Sequence, residues 1–129
     1  MYDTIAQASK KTGISIHTLR YYDREGLLPF IEHSPNGSRL FNENDYEWIA
    51  VLQCLKNTGM PLKQIRTYMD WCMQGDTTLE RRLALFQSQK IEIERQFKEI
   101  QNYQKIVEYK INYLKGRIDG TEEKSISQF

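Results

Sequence analysis

Apolar residues recur at helical spacing in five stretches of this chain, separated by breaks that contain glycine or proline. The longest run governs the reading. Leu79, Leu83, Phe86, Lys90, Ile93, Phe97, Ile100, Gln104, Val107, Ile111 and Leu114 follow alternating steps of four and three residues. Only Lys90 and Gln104 interrupt the apolar series. A 3.5-residue repeat kept over several heptads predicts a coiled coil. Thr77-Thr78-Leu79-Glu80 supplies a capping-box start, and Gly116 a stop. A helix over residues 77–115 would be about 58 Å long at 1.5 Å per residue. Its seam is too long for one small head to bury, so a second copy is the simplest partner. Polar residues inside such a seam fix register, while the repeat alone leaves helix direction open.

Upstream the stretches are shorter. Thr4 and Gln7 fit a capping box, Ile5 and Ala8 face inward, and Gly13 closes this first helix. Ser15 caps a second helix, which Gly26 ends and Pro29 keeps from restarting. Ile16, Leu19 and Tyr22 share its inner face, whereas His17, Thr18, Arg20, Tyr21 and Arg24 point outward. Donors and flat rings on one face of a short helix suit phosphates and base edges, so the pair predicts a helix-turn-helix. Phe30–His33 and Ser38–Phe41 are candidate strands around the turn Ser34-Pro35-Asn36-Gly37, a wing whose Arg39 can reach DNA. A third helix runs from Asp45 to Asn57, capped by Asn42 or Asn44. Its main apolar face is Trp48, Val51, Leu52 and Leu55, with a second stripe of Tyr46, Ala50 and Cys54. A fourth helix starts at Pro61 and ends at Gly75.

Charge changes the picture little. The chain has 129 residues and a net charge of +1, and residues 1–42 set five cations against four carboxylates. A nucleic-acid contact must therefore come from local placement of charge rather than from a basic domain. No apolar run reaches membrane-spanning length, and no signal-like start precedes the first helix, so a cytoplasmic location is expected. Two cysteines, Cys54 and Cys72, are too few for a disulfide scaffold and too far apart for a metal-binding pair. His17 and His33 are poorly accompanied for a metal site, and His33 is expected to be solvated. A thiol enzyme lacks a cysteine–histidine pair that the sequence could place together. No cofactor or metal is expected.

The run Thr18-Leu19-Arg20-Tyr21-Tyr22-Asp23-Arg24-Glu25-Gly26-Leu27-Leu28-Pro29, with Ile5-Ala6-Gln7-Ala8 before it and Asn36-Gly37-Ser38-Arg39-Leu40-Phe41 after it, resembles the MerR family of bacterial transcription regulators. The likeness covers residue 2 to about 70 in motifs and the remainder in architecture. Cys54-Leu55-Lys56-Asn57-Thr58-Gly59-Met60-Pro61 and Gly75-Asp76 are similar to the branch containing AdhR and NmlR, regulators linked to aldehyde and electrophile stress. The resemblance implies an antiparallel coiled-coil homodimer. It implies binding to a promoter whose overlong spacer is bent and untwisted, so that RNA polymerase is affected indirectly. It puts Ser15, His17, Thr18 and Arg20 on the recognition helix, Tyr21 and Tyr22 on the DNA backbone, Arg39 in the wing, and a sensor thiol at Cys54. His17 departs from the arginine often found there. The cysteines of metal- and redox-sensing members are missing, and the chain stops before the ligand domain of multidrug sensors.

The expected molecule is mainly α. A helix-turn-helix and wing (1–42) is followed by a two-helix connector (43–75), a dimerising coiled coil (76–116) and a disordered tail (117–129). Leu79, Leu83, Phe86, Ile93, Phe97, Ile100, Val107, Ile111 and Leu114 would form the seam. The function expected is sequence-specific binding of promoter DNA by a homodimer, without catalysis. Cys54 has two readings, an electrophile sensor or an inert small hydrophobe; the second leaves a regulator with a non-covalent ligand or no inducer. Arg24 could contact DNA or pair with Asp23 or Glu25. A coiled-coil interaction module is the remaining alternative, and it predicts no salt-sensitive DNA binding.

Overall fold

The computed structural model describes residues 1–121. Its elements are α1 (Ile5–Thr12), α2 (Ile16–Arg24), β1 (Glu32–His33), β2 (Arg39–Leu40), α3 (Asp45–Asn57), α4 (Leu62–Gln74) and α5 (Leu79–Asp119). The chain falls into two compact units that part at Gln89.

Local chemistry accounts for the boundaries in the first unit. Thr4 Oγ1 accepts from the Gln7 N–H at 3.2 Å, and Gln7 Oε1 accepts from the Thr4 N–H at 2.8 Å, so the capping box of α1 is complete. Gly13 closes that helix at φ 76°, a value open to glycine and strained for other residues. The α1–α2 turn is stitched by the Ser9 hydroxyl, which donates to the Ile14 carbonyl at 2.6 Å. Between α2 and α3, β1 and β2 pair antiparallel with Glu32 opposite Leu40 and His33 opposite Arg39. Asp3 extends the base of this wing: its N–H donates to the Phe41 carbonyl at 2.7 Å and its carbonyl accepts from the Phe41 N–H at 3.0 Å.

Asn42 holds the entry to α3. Its Oδ1 accepts from the Asp45 N–H at 3.1 Å, and Asp45 Oδ2 accepts from the Asn42 N–H at 2.8 Å. Asn44 precedes the helix without a side-chain cap bond. Leu19, Leu27, Phe41, Leu52, Ile65 and Met69, all fully buried, form the core around which α1 to α4 close. Ile49 is buried as well, a position outside the apolar faces expected for α3. The expected second stripe is corrected: Ala50 and Cys54 are exposed, and Tyr46 is only partly covered.

The start of α5 also departs from expectation. Residues Gly75–Thr78 form a 3-10 turn that runs directly into α5. Thr78 is buried, and its hydroxyl lies 2.6 Å from the Trp71 carbonyl and 2.8 Å from that of Gly75. The Thr78 hydroxyl therefore closes the end of α4, and Thr77, the cap of the expected box, lies inside the 3-10 turn instead of starting α5. Leu85 and Gln89 are buried within the first unit, and Gln89 Nε2 donates to Thr58 Oγ1 at 2.6 Å. Phe86 meets the Tyr68 ring edge-on at 5.1 Å between centroids.

Gly116 does not end α5. A glycine inside a helix weakens it by only about 1 kcal/mol relative to alanine, and 41 residues of continuous helix absorb that. The stop is Gly120, at φ 75°, where the Thr121 N–H returns to the Gly116 carbonyl at 2.9 Å. The tail expected from residue 117 thus begins as helix, and residues 122–129 lie outside the described residues. The extension adds Ile118 to the apolar series, one four-residue step beyond Leu114.

Two outcomes follow for stability. Leu52→Ala, in the middle of the core, is expected to lower the unfolding free energy by about 2–5 kcal/mol, read from urea denaturation; an unmoved midpoint would contradict the packing. Asp3 accepts from Lys11 Nζ at 2.8 Å and from the Tyr46 hydroxyl. Chiefly the Lys11 bond, then the Tyr46 bond, holds its carboxyl below the ordinary value of 3.8. A depressed folded pKa gives stabilisation that is present above the unfolded value and is lost as pH falls through the folded one. Asp3→Asn is accordingly expected to melt earlier than wild type at neutral pH, with the gap closing in strong acid. A gap that is constant with pH in thermal melts would rule this out.

Candidate nucleic-acid interface

Helix α2 presents one face to solvent because the other is anchored. Leu19 and Tyr22 are buried, whereas Ser15, His17, Arg20, Tyr21 and Arg24 are exposed and Thr18 is half-buried. Ser15 Oγ accepts from the Thr18 N–H at 3.1 Å and donates to Thr18 Oγ1 at 2.9 Å. The cap gives one of the otherwise unpaired amides of the first turn of α2 a partner. Tyr22 lies on the inner side that helical phase gives it, not among the exposed side chains where the resemblance would place a backbone contact. It is 1 % exposed, and its hydroxyl accepts from Lys56 Nζ at 2.7 Å. It is a core residue beneath the face, while its neighbour Tyr21, 39 % exposed, remains on that face.

One carboxylate seats the wing on α2. Asp23 Oδ2 accepts from Arg39 Nε at 2.7 Å and lies 3.0 Å from His33 Nε2. His33 and Arg39 are register partners across β1 and β2, so both strands are tied to one point on the helix. Arg39 keeps its two terminal nitrogens as further donors. Arg39 and Arg20 line a common cleft of about 220 Å³ with Thr4, Ile5, Ser38 and Leu40. Arg20 has no ion pair among the described residues, so its charge is open. The expected pairing of Arg24 is displaced as well. Asp23 is taken by the wing, and Glu25 by Arg66 Nη2 at 3.0 Å, with Arg66 Nε donating to the Glu25 carbonyl at 2.5 Å.

The contacts of Asp23, Arg66 and Lys56 escaped the sequence reading. Asp23 and Arg39 stand 16 residues apart, and Glu25 and Arg66 stand 41 apart; no periodicity marks pairs at such separations.

Cys54 lies away from this face. It is exposed and opens, with Ala50, on a groove of about 520 Å³ between α1 and α3 that Lys11, Thr12, Tyr46 and Gln53 also line. Gln53 Oε1 is buried there without a hydrogen-bond partner among the described residues. Cys72 is half-buried. Its neighbour Tyr68 has a phenol pushed up in pKa by burial first and by a hydrogen bond with Cys72 second. No group of three metal-binding side chains occurs among the described residues, and no described helix is long and apolar enough to cross a membrane. Leu79, Leu83, Phe86, Ile93, Phe97, Ile100, Val107, Ile111 and Leu114 are all exposed on the single chain.

Known proteins share this architecture. Residues 4–71 match the family described as MerR HTH family regulatory protein. An uncharacterized HTH-type transcriptional regulator of Haemophilus influenzae is 44% identical over 110 residues, spanning 85% of this chain and 82% of the relative. The HTH-type transcriptional regulator AdhR of Bacillus subtilis is 37% identical over 78 residues, 60% of this chain and 56% of its own length. Among solved structures, that of HiNmlR, a MerR family regulator lacking the sensor domain and bound to promoter DNA, superposes with a TM-score of 0.86 at 43% identity. It covers 94% of this chain and 97% of HiNmlR. With residues 4–71 matched, and a 44% identical relative covered over most of its length, the chain belongs to the MerR HTH family of regulatory proteins.

Proposed function

We propose that this regulator is a homodimer that binds promoter DNA sequence-specifically, bends and untwists the promoter spacer, and registers aldehydes or other electrophiles at Cys54. The observation that carries the DNA-binding part is Arg20, an exposed guanidinium without an ion pair among the described residues, sharing one cleft with Arg39. The promoter-bound state of HiNmlR supports it. In this reading Ser15, His17, Thr18 and Arg20 enter the major groove, where arginine can address guanine edges in a bidentate way. Tyr21 and the free donors of Arg39 grip flanking phosphates. Tyr22 supports the helix from below.

The exposed apolar series from Leu79 to Leu114 joins two copies, setting two α2 helices about one DNA turn apart. Distorting the duplex takes about 1–6 kcal/mol, so a modest change near α3 is enough to shift the DNA between two shapes. RNA polymerase then responds to the realigned promoter and needs no contact with this chain. At Cys54 the sulfur adds to an aldehyde carbon, the carbonyl π pair moves to oxygen, and the thiol proton ends on that oxygen. Exposure of the thiol on the α1–α3 groove supports this step. The unpaired Gln53 Oε1 in the same groove favours a second reading, a non-covalent ligand with Cys54 as a bystander.

Arg20→Ala is expected to weaken promoter binding by about 1–3 kcal/mol in gel-shift titrations, with circular dichroism unchanged; full affinity would remove Arg20 from the interface. Cys54→Ser is expected to keep DNA binding and to lose the change in footprint that an aldehyde produces. A normal aldehyde response in that variant would transfer the role to the non-covalent reading.

A further inference from the structure

We propose that the contact between Thr58 and Gln89 relays the state of Cys54 to α5, with Gln89 as its positioning residue; this rests on the sensing reading above. The Cys54 carbonyl accepts twice from Thr58, from the hydroxyl at 2.8 Å and from the N–H at 3.1 Å. The same hydroxyl oxygen accepts from Gln89 Nε2 at 2.6 Å. The Cys54 backbone, the Thr58 hydroxyl and the Gln89 amide are thus joined in series. The thiol opens on the α1–α3 groove. An adduct that fills this groove presses on the last turn of α3, and a shift of that turn carries the Cys54 carbonyl and Thr58 with it.

The far end of the series is well placed. Gln89 is 9 % exposed and is the last residue of the first unit. Leu85, one turn before it, is buried in the core cluster. Apolar packing has no direction, so it lets neighbouring helices slide. A hydrogen bond weakens steeply once misaligned, and a polar side chain at this depth keeps its partner. Gln89 therefore follows Thr58 when the end of α3 moves.

A plainer role exists. Threonine hydroxyls bond back to the carbonyl four residues earlier in many helices, and Gln89 would then be no more than a satisfied donor. That role predicts a change in stability and none in signalling.

A coupling claim needs a coupling measurement. Wild type, Gln89→Met, Thr58→Val, Thr58→Ser and Leu85→Ala are compared as the full chain, with acetaldehyde as the probe. Protection of Cys54 from iodoacetamide is read by peptide mass, promoter affinity by gel shift, and the aldehyde-dependent change by footprinting. Gln89→Met and Thr58→Val are expected to protect Cys54 and to bind the promoter as wild type does, yet to lose the footprint change. Thr58→Ser keeps the hydroxyl and restores the change. Leu85→Ala loosens the same stretch of α5 without touching either bond, and is expected to keep the change. A footprint change that survives in Gln89→Met or Thr58→Val overturns the relay, as does loss of Cys54 protection in either. Its loss in Leu85→Ala also overturns the relay, by tracing the effect to general loosening. A wild type that leaves Cys54 unprotected, or its footprint unmoved, overturns the sensing reading itself.

Discussion

A single carboxylate ties both strands of the wing to α2. Asp23 Oδ2 is shared by Arg39 from β2 and His33 from β1, and together with the Asp3–Phe41 bridge at the base it fixes the angle of a hairpin of two-residue strands. With both in place, the wing and α2 form one surface, and Arg20 and Arg39 open on the same cleft. The arrangement uses a charge pair for orientation more than for stability. Both partners are partly solvated, and exposed pairs contribute little net free energy.

Helix α5 carries two different instructions. Its opening turns bury Leu85 and Gln89 in the first unit, while the residues at alternating steps of four and three stay exposed. A strict 3.5-residue repeat belongs to a helix that faces another helix, whereas a globular head is met by whichever side chains the local rotation supplies. Gln89 is informative here. It is polar and buried because Thr58, at the end of α3, offers it a hydroxyl partner at 2.6 Å. The connection between α3 and α5 is thus a specified polar contact, while much of the surrounding packing is apolar.

Much of the fold was legible because its signals are local. Thr4 with Gln7, Ser15, Gly13, Gly26 and the Asn36-Gly37 turn each act over a few residues, and each appears where those residue types work best. The failures were non-local or competitive. Gly116 resembles a stop, yet a long helix passes through a glycine unless the backbone there turns left-handed, as it does at Gly120. Thr77 looked like a cap, but a 3-10 turn runs through it into α5, fixed by the Thr78 hydroxyl on the carbonyls that end α4. Cys54 and Ala50 seemed apolar enough to be covered, but α1 leaves a groove over them. Of the candidate interface, the outward side chains of α2 followed from helical phase. Helical phase also put Tyr22 on the inner side, where it lies, whereas its bond with Lys56, 34 residues away, left no local signal.

The bridge between Asp3 and Phe41 carries a consequence for how this molecule loosens. The first few residues of most domains fray independently of the rest. Here the third residue exchanges two main-chain bonds with the base of the hairpin and draws in α1 and α3 through its carboxylate. Fraying at the amino end and release of the hairpin are therefore one cooperative opening, and anything spliced ahead of Met1 will be felt at the cleft holding the two arginines.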